Sequence, residues 1–213
     1  MPEQTPVRAR EAARLHRELL PTSPLSGLGE PFLARYYYRR LPESGLLNLG
    51  IAHVDGEPAG FIAVTKDARG FQRKATRVRP ILLALHLFLA VLRRPASVRE
   101  LLRGITTARG TEHGLTAPGD GEILSFGVRQ KYRGLRFSQL RPGAGPPGQT
   151  VAGVLLAGAL ERLQREGAQR VRAVIDEDNT PARIMYASLG WYSEGNRVSG
   201  WDVPCVEYFR DLS

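Results

Sequence analysis

The sequence predicts an α/β fold, and three observations in its second half carry that reading. Glu122 to Val128 (EILSFGV) and Arg170 to Asp176 (RVRAVID) read as strands, and Val151 to Glu166 between them reads as a helix. A second, shorter helix then follows from the run NTPARIMYASLGW. The order is therefore strand, helix, strand, helix, with a short strand expected from Trp191. A chain of 213 residues, 42% apolar and 24% charged, can bury a full core, so residues 1–213 are expected to form one globular domain.

From the amino terminus, Ala9 to Leu20 and Glu30 to Arg40 are helix candidates. Leu46 to Val54 and Ala59 to Thr65 are strands joined by the turn Asp55-Gly56-Glu57-Pro58. Ile81 to Leu92 (ILLALHLFLAVL) is apolar at every position but His86, and Ser97 to Ile105 reads as a further helix. Together they form a helical insert, residues 69–110. The apolar run is too short to span a bilayer, which takes about 20 residues. Three roles remain: a lid over an acceptor pocket, a homodimer contact, or a segment on an anionic membrane surface through residues 69–94, with Arg69, Arg73, Lys74, Arg77, Arg79, Arg93 and Arg94 at the headgroups. A helix apolar on all sides is most often buried, so burial in the fold or in a dimer is expected.

The helix from Val151 carries Val151, Leu155, Ala159, Leu160 and Leu163 on one stripe and ends at Gly167. In NTPARIMYASLGW, Thr180 suits the cap, Pro181 the first helical position and Gly190 the left-handed residue past the end. Ala182, Met185, Tyr186 and Leu189 share one face, so Tyr186 points inward, where its hydroxyl needs a polar partner.

The pattern N-x-x-A-x-x-x-Y-x-x-x-G-W after the second strand, within Glu122 to Trp191, resembles the GNAT superfamily of acyl-CoA N-acyltransferases. The helical pair and Asp-Gly hairpin upstream are similar to the usual start of that domain. The resemblance implies a mixed central sheet flanked by helices, acetyl-CoA as co-substrate, and direct transfer of an acetyl group to a primary amine. Tyr186 matches the general-acid position. Glu122 is the first candidate for the base and Asp120 the second. The backbone of Phe126, Gly127 and Val128 would pair with the pantetheine arm, and the Asn179 side chain would help hold it. The thioester would lie in the gap between the strands ending at Val128 and Asp176.

The chemistry needs both roles. An alkyl ammonium of pKa about 10.4 must lose a proton before it attacks, and a phenol of pKa about 10 suits the departing thiolate.

The phosphate-binding loop departs from the family pattern Q/R-x-x-G-x-G/A. Arg129 to Gly134 (RQKYRG) begins as the family does, but Arg136 and Ser138 stand where small residues belong, and SQLRPGAGPPGQT cannot be helical. A second alignment, counted back from Leu155 and Leu156, puts Pro147 at the usual basic position, Thr150 at the first glycine and Ala152 at the second. It assigns phosphate contacts to Gln149, Thr150, Val151, Ala152 and Gly153, with Arg133 beside Gly134, or Arg141, folding back onto the anion.

The net charge of +9 is nearly all arginine, which the phosphates of coenzyme A account for in part. Nucleic acid is an unlikely partner, because the aromatics do not interleave with the basic residues. Cys205 is the only cysteine, and His16, His53, His86 and His113 are scattered, so neither a nucleophile nor a metal site is expected. His86 and His113 are read as structural or surface residues. With no signal peptide before the first helix, a cytoplasmic protein is expected. Two rivals stand beside the enzyme: a catalytically inactive GNAT-like module that binds acyl-CoA, and a basic membrane-peripheral or nucleic-acid-binding protein.

Overall fold

A computed structural model describes residues 4–93, 117–136, 149–195, 197–200 and 203–212. The expected helix Ser97 to Ile105, His113 and Arg141 lie outside them.

Among the described residues six strands form one mixed sheet: β1 (Asn48–Val54), β2 (Glu57–Thr65), β3 (Asp120–Val128), β4 (Arg170–Asp176), β5 (Arg197–Gly200) and β6 (Val203–Asp211), in the order β1-β2-β3-β4-β6-β5. Only β3 and β4 run parallel; every other neighbouring pair is antiparallel. Val54 pairs with Glu57, so the expected four-residue turn tightens to Asp55-Gly56, both at positive φ, as a two-residue hairpin requires.

One face of the sheet carries α1 (Gln4–Leu19), the short helices α2 (Pro24–Gly27) and α3 (Glu30–Phe32), and α4 (Tyr38–Glu43). Between α3 and α4 the chain makes a π-helical turn, Leu33–Tyr37. Three consecutive tyrosines would spread over about 200° of an ordinary helix. The wider π turn narrows that spread, and Tyr36, Tyr37 and Tyr38 are all buried beside α1 and the sheet.

The insert begins as α5 (Phe71–Arg77) and α6 (Pro80–Arg93). Tyr36 anchors it by donating from its hydroxyl toward the carbonyls of Ala75 (2.6 Å) and Val78 (2.7 Å). Burial of α6 holds for one face only. Leu82, Leu83 and Leu87 pack on the amino-terminal helices, whereas Ile81, Leu85 and Phe88 are exposed.

The opposite face of the sheet carries α7 (Val151–Arg165) and α8 (Thr180–Ser188). Val151, Leu155, Ala159 and Leu163 are buried as the stripe predicts, joined by Leu156, while Leu160 is only partly buried. Both helices end in the same way. Gly167 and Gly190 have positive φ, and the next N–H returns to the helix, Ala168 to Leu163 O (3.0 Å) and Trp191 to Tyr186 O (3.1 Å).

Two local expectations are corrected. The residue that caps α8 is Asn179, whose Oδ1 accepts from the Ala182 N–H at 3.2 Å, and Thr180 is the first helical residue. Asparagine holds the position because its side-chain oxygen reaches the orphan N–H. The strand expected from Trp191 reduces to a single bridge, Tyr192 to Phe209, and the sheet is completed instead by the β5–β6 hairpin.

Candidate active site

The parallel strands β3 and β4 pair only from Asp120–Arg170 to Ile123–Ala173. Beyond that point β3 continues to Val128 and β4 to Asp176 without pairing to each other, so the sheet opens into a fork. On its other side β3 stays bonded to β2 as far as Gly60–Val128. The edge of β3 over Leu124 to Val128 therefore faces the gap with backbone groups left for another partner, and Phe126, Gly127 and Val128 lie on it.

A bulge sets what each face of the fork presents. Ala63 pairs with Ser125 and Val64 with Ile123, so Leu124 is the extra residue, and the alternation of side chains shifts there. Glu122, Leu124 and Ser125 consequently lie toward the amino-terminal helices, while Ile123, Phe126 and Val128 lie toward α7.

On the first of these faces the side chains form a buried polar chain. Arg172 Nη2 donates to Glu122 Oε2 (3.0 Å), and its Nη1 donates to Glu207 Oε1 (2.8 Å). Burial pushes the Glu122 carboxyl above its ordinary range, Arg172 opposes that rise, and the charge of Glu207 adds to it. Tyr37 lies next to Glu122, and burial first and that charge second raise its phenol. Ser125 lies beside Tyr37 and Tyr38, and its hydroxyl partly opposes the rise that burial imposes on both phenols. Beyond it, His16 Nδ1 meets the Tyr38 hydroxyl at 2.6 Å and His16 Nε2 meets Ser23 Oγ at 3.2 Å. Burial lowers the pKa of His16 to about 4, so the ring is neutral near pH 7.

On the other face, Tyr186 is held by the Schellman end of α8. Its ring meets Trp191 edge-on at 4.9 Å and lies 6.1 Å from Tyr208. Burial raises its pKa, which keeps the phenol protonated. Among the described residues its hydroxyl has no hydrogen-bond partner, and the neighbouring Trp191 Nε1–H is buried without an acceptor. Glu122 and Tyr186 thus stand on opposite faces of the sheet, with the fork between the strands.

Asp120 sits at the closed end of the β3–β4 pair. It accepts from Arg170 Nη2 and from the Ala117 N–H, both at 2.7 Å, which ties it into a strand-end ion pair away from the fork.

The two segments that the sequence offers for phosphate binding meet in space. Arg136 forms an isolated antiparallel bridge with Thr150, so the chain returns from residues 137–148 beside the point where it left. The segments named by the two alignments, Arg129 to Gly134 before the excursion and Gln149 to Gly153 after it, therefore stand beside one another. Thr150 caps α7 through Oγ1, accepting from the Gly153 N–H at 3.1 Å. The N–H groups of Val151 and Ala152 are left without intrahelical acceptors at the positive end of the helix dipole. Gly134 is in the left-handed region and Arg133 Nε donates back to Val128 O (2.9 Å). Arg129 and Lys131 are turned onto Glu18 and Glu57.

The chain matches a GNAT-family acetyltransferase from Streptococcus pneumoniae at TM-score 0.51 and 15% identity, over 97% of this chain and 93% of the other. The chain has the GNAT fold. An aminoglycoside 6′-acetyltransferase type Ii matches at TM-score 0.54 and 13% identity, over 100% of this chain and 95% of the other. The PaiA N-acetyltransferase of Thermoplasma acidophilum, solved with coenzyme A, matches at 0.50 and 12%, over 98% and 93%. No family model matches the chain. In sequence, a mycothiol acetyltransferase of Brachybacterium faecium is 43% identical over 56 residues, 26% of this chain. That match spans only 15% of the relative's length.

On this GNAT fold, several residues of the fork were not singled out by sequence. Arg172, Glu207, Ser125, His16, Tyr37 and Tyr38 form the polar chain. The traces they leave are a charged residue inside the strand RVRAVID and the unbroken run Tyr36-Tyr37-Tyr38. Among the described residues, no group of three or more His, Cys, Asp or Glu could hold a metal, and no helix is long and apolar enough to cross a membrane. His86 Nδ1 contacts Leu82 O at 2.8 Å on its own helix, and the Cys205 thiol is buried.

Proposed function

We propose that this protein is an N-acyltransferase that moves an acetyl group from acetyl-CoA to a primary amine by direct attack. The observation that carries the reading is the opening of β3 from β4 beside the capped amino terminus of α7. The free edge over Phe126 to Val128 suits an extended amide-bearing arm, and the N–H groups of Val151 and Ala152, with Arg133 and Gly134 close by in the loop, suit its phosphates. Trp191 Nε1–H, orphaned beside Tyr186, fits a polar ligand atom at that end. Asn179 uses Oδ1 as a cap, so its amide nitrogen is what it offers the arm.

In this reaction Glu122, with its raised pKa, takes a proton from the acceptor ammonium, directly or through water. The amine nitrogen then bonds to the acyl carbon, the carbon–sulfur bond breaks, Tyr186 supplies its phenolic proton to the leaving thiolate, and the second N–H proton of the new amide nitrogen passes through water to the phenolate. The two groups serve from opposite faces of the sheet, so acceptor and thioester approach the fork from different sides. The buried chain from Arg172 through Tyr37 and Ser125 to His16 holds the carboxylate in place.

A panel of primary amines, incubated with acetyl-CoA and followed by thiol release, tests the reading. The expected result is release that depends on both acceptor and enzyme. Binding of acetyl-CoA with no release on any amine would instead favour an inactive acyl-CoA-binding module.

A further inference from the structure

A second cavity, of about 860 Å³, lies away from the fork. It runs between α1, the α2–α4 region and α6, and none of its lining residues belongs to β3, β4, α7 or α8. One side is cationic: Arg10, Arg14, Arg17, Arg35, Arg39 and Arg40 line it, and among the described residues one carboxylate, Glu30, lines it with them. Glu30 is shared between Arg14 (3.5 Å) and Arg17 (3.7 Å), and Glu43 engages Arg39 and Arg40 from outside the lining. Among the described residues Arg10 and Arg35 meet no carboxylate, and the Nε–H of Arg40 is buried without an acceptor. The other side is apolar, formed by Leu82, Leu85 and Leu89 of α6, of which Leu85 is 52% and Leu89 37% exposed.

Uncompensated guanidinium groups are complementary to phosphate or carboxylate, and exposed leucines to a hydrocarbon chain. The volume is that of a small-molecule site. We propose that this groove binds a single-chain anionic amphiphile, its head on Arg10, Arg35 and Arg40 and its chain along Leu82, Leu85 and Leu89. None of its lining residues belongs to the acetyl-transfer site proposed above, and such a ligand gives the exposed face of α6 a function that burial alone does not.

Calorimetric titration of the full chain with decyl phosphate, below the concentration at which it forms micelles, tests the proposal, with inorganic phosphate and decanol as the two half-ligands. Decyl phosphate should bind at least tenfold more tightly than either. The double variant Arg10→Gln/Arg35→Gln should weaken it at least tenfold, and Leu85→Ser should weaken decyl phosphate while leaving inorganic phosphate unchanged. Both sets of side chains lie on the surface, so circular dichroism and melting should match the parent. No binding, equal affinity for inorganic phosphate, or indifference to both variants overturns the proposal. So does binding to phosphatidylglycerol vesicles without binding to monomeric decyl phosphate, which would make the face a membrane surface. Acetyl-CoA affinity, measured in the same variants, stays at the parent value, so loss of this site and failure of the acyltransferase reading are separate results.

Discussion

Tyr186 and Glu122 differ in how they can be tested. Tyr186 sits among Trp191 and Tyr208 with its hydroxyl unpaired among the described residues. Tyr186→Phe therefore keeps the packing and removes one proton: turnover should fall about 10²-fold or more, with little change in acetyl-CoA affinity, as single-turnover kinetics and calorimetry would read. Glu122 has a raised pKa, so its carboxylate form, and with it the rate, should be lost as pH falls through that raised value. Glu122→Gln should lower the rate and abolish this acidic limb, and an unchanged pH profile would remove Glu122 from the mechanism. His16 gives a stability test. Its folded pKa of about 4 lies below the ordinary imidazole value of 6.5, so folding favours the neutral ring. That stabilisation is full above 6.5 and is lost as pH falls toward 4. Between pH 7.5 and 5 it amounts to about 2 kcal/mol. Denaturant melts should show this loss in the parent and not in His16→Gln.

At the scale of elements, the helix ends do the positioning. Thr150 fixes where α7 begins, which aims the N–H groups of Val151 and Ala152 at the end of the divided loop. Thr150→Ala should cost about 1 kcal/mol of stability in denaturant melts and weaken acetyl-CoA binding as well. The helix ends at Gly167 and Gly190 were legible in sequence, being local signals whose effect is confined to one turn, whereas Pro181 falls one residue later than the first helical position expected of it. The capping role of Asn179 was misassigned by one residue because Asn179 and Thr180 are both able to cap and adjoin each other. The strand at Trp191 failed for a different reason. The β5–β6 hairpin is fixed by pairing of β6 with distant β4, and no local pattern announces which stretch wins that partner.

At the scale of the molecule, the GNAT fold explains how residues far apart in sequence come to one place. The alternation of strand and helix from Glu122 to Trp191 was enough to read the layers and the family resemblance. The two segments proposed to hold phosphate could not be joined from sequence, because their meeting depends on the Arg136–Thr150 bridge across residues 137–148. The polar chain from His16 to Glu207 was illegible for the same reason, being assembled from α1, the π turn, β3, β4 and β6. The central claim is that the fork and the α7 terminus together bind acetyl-CoA. Calorimetric titration of the intact protein with acetyl-CoA tests it most directly. One molecule should bind per chain, with affinity weakened by Thr150→Ala and unaffected by Arg10→Gln/Arg35→Gln. Absence of binding at millimolar acetyl-CoA in a folded sample would contradict it.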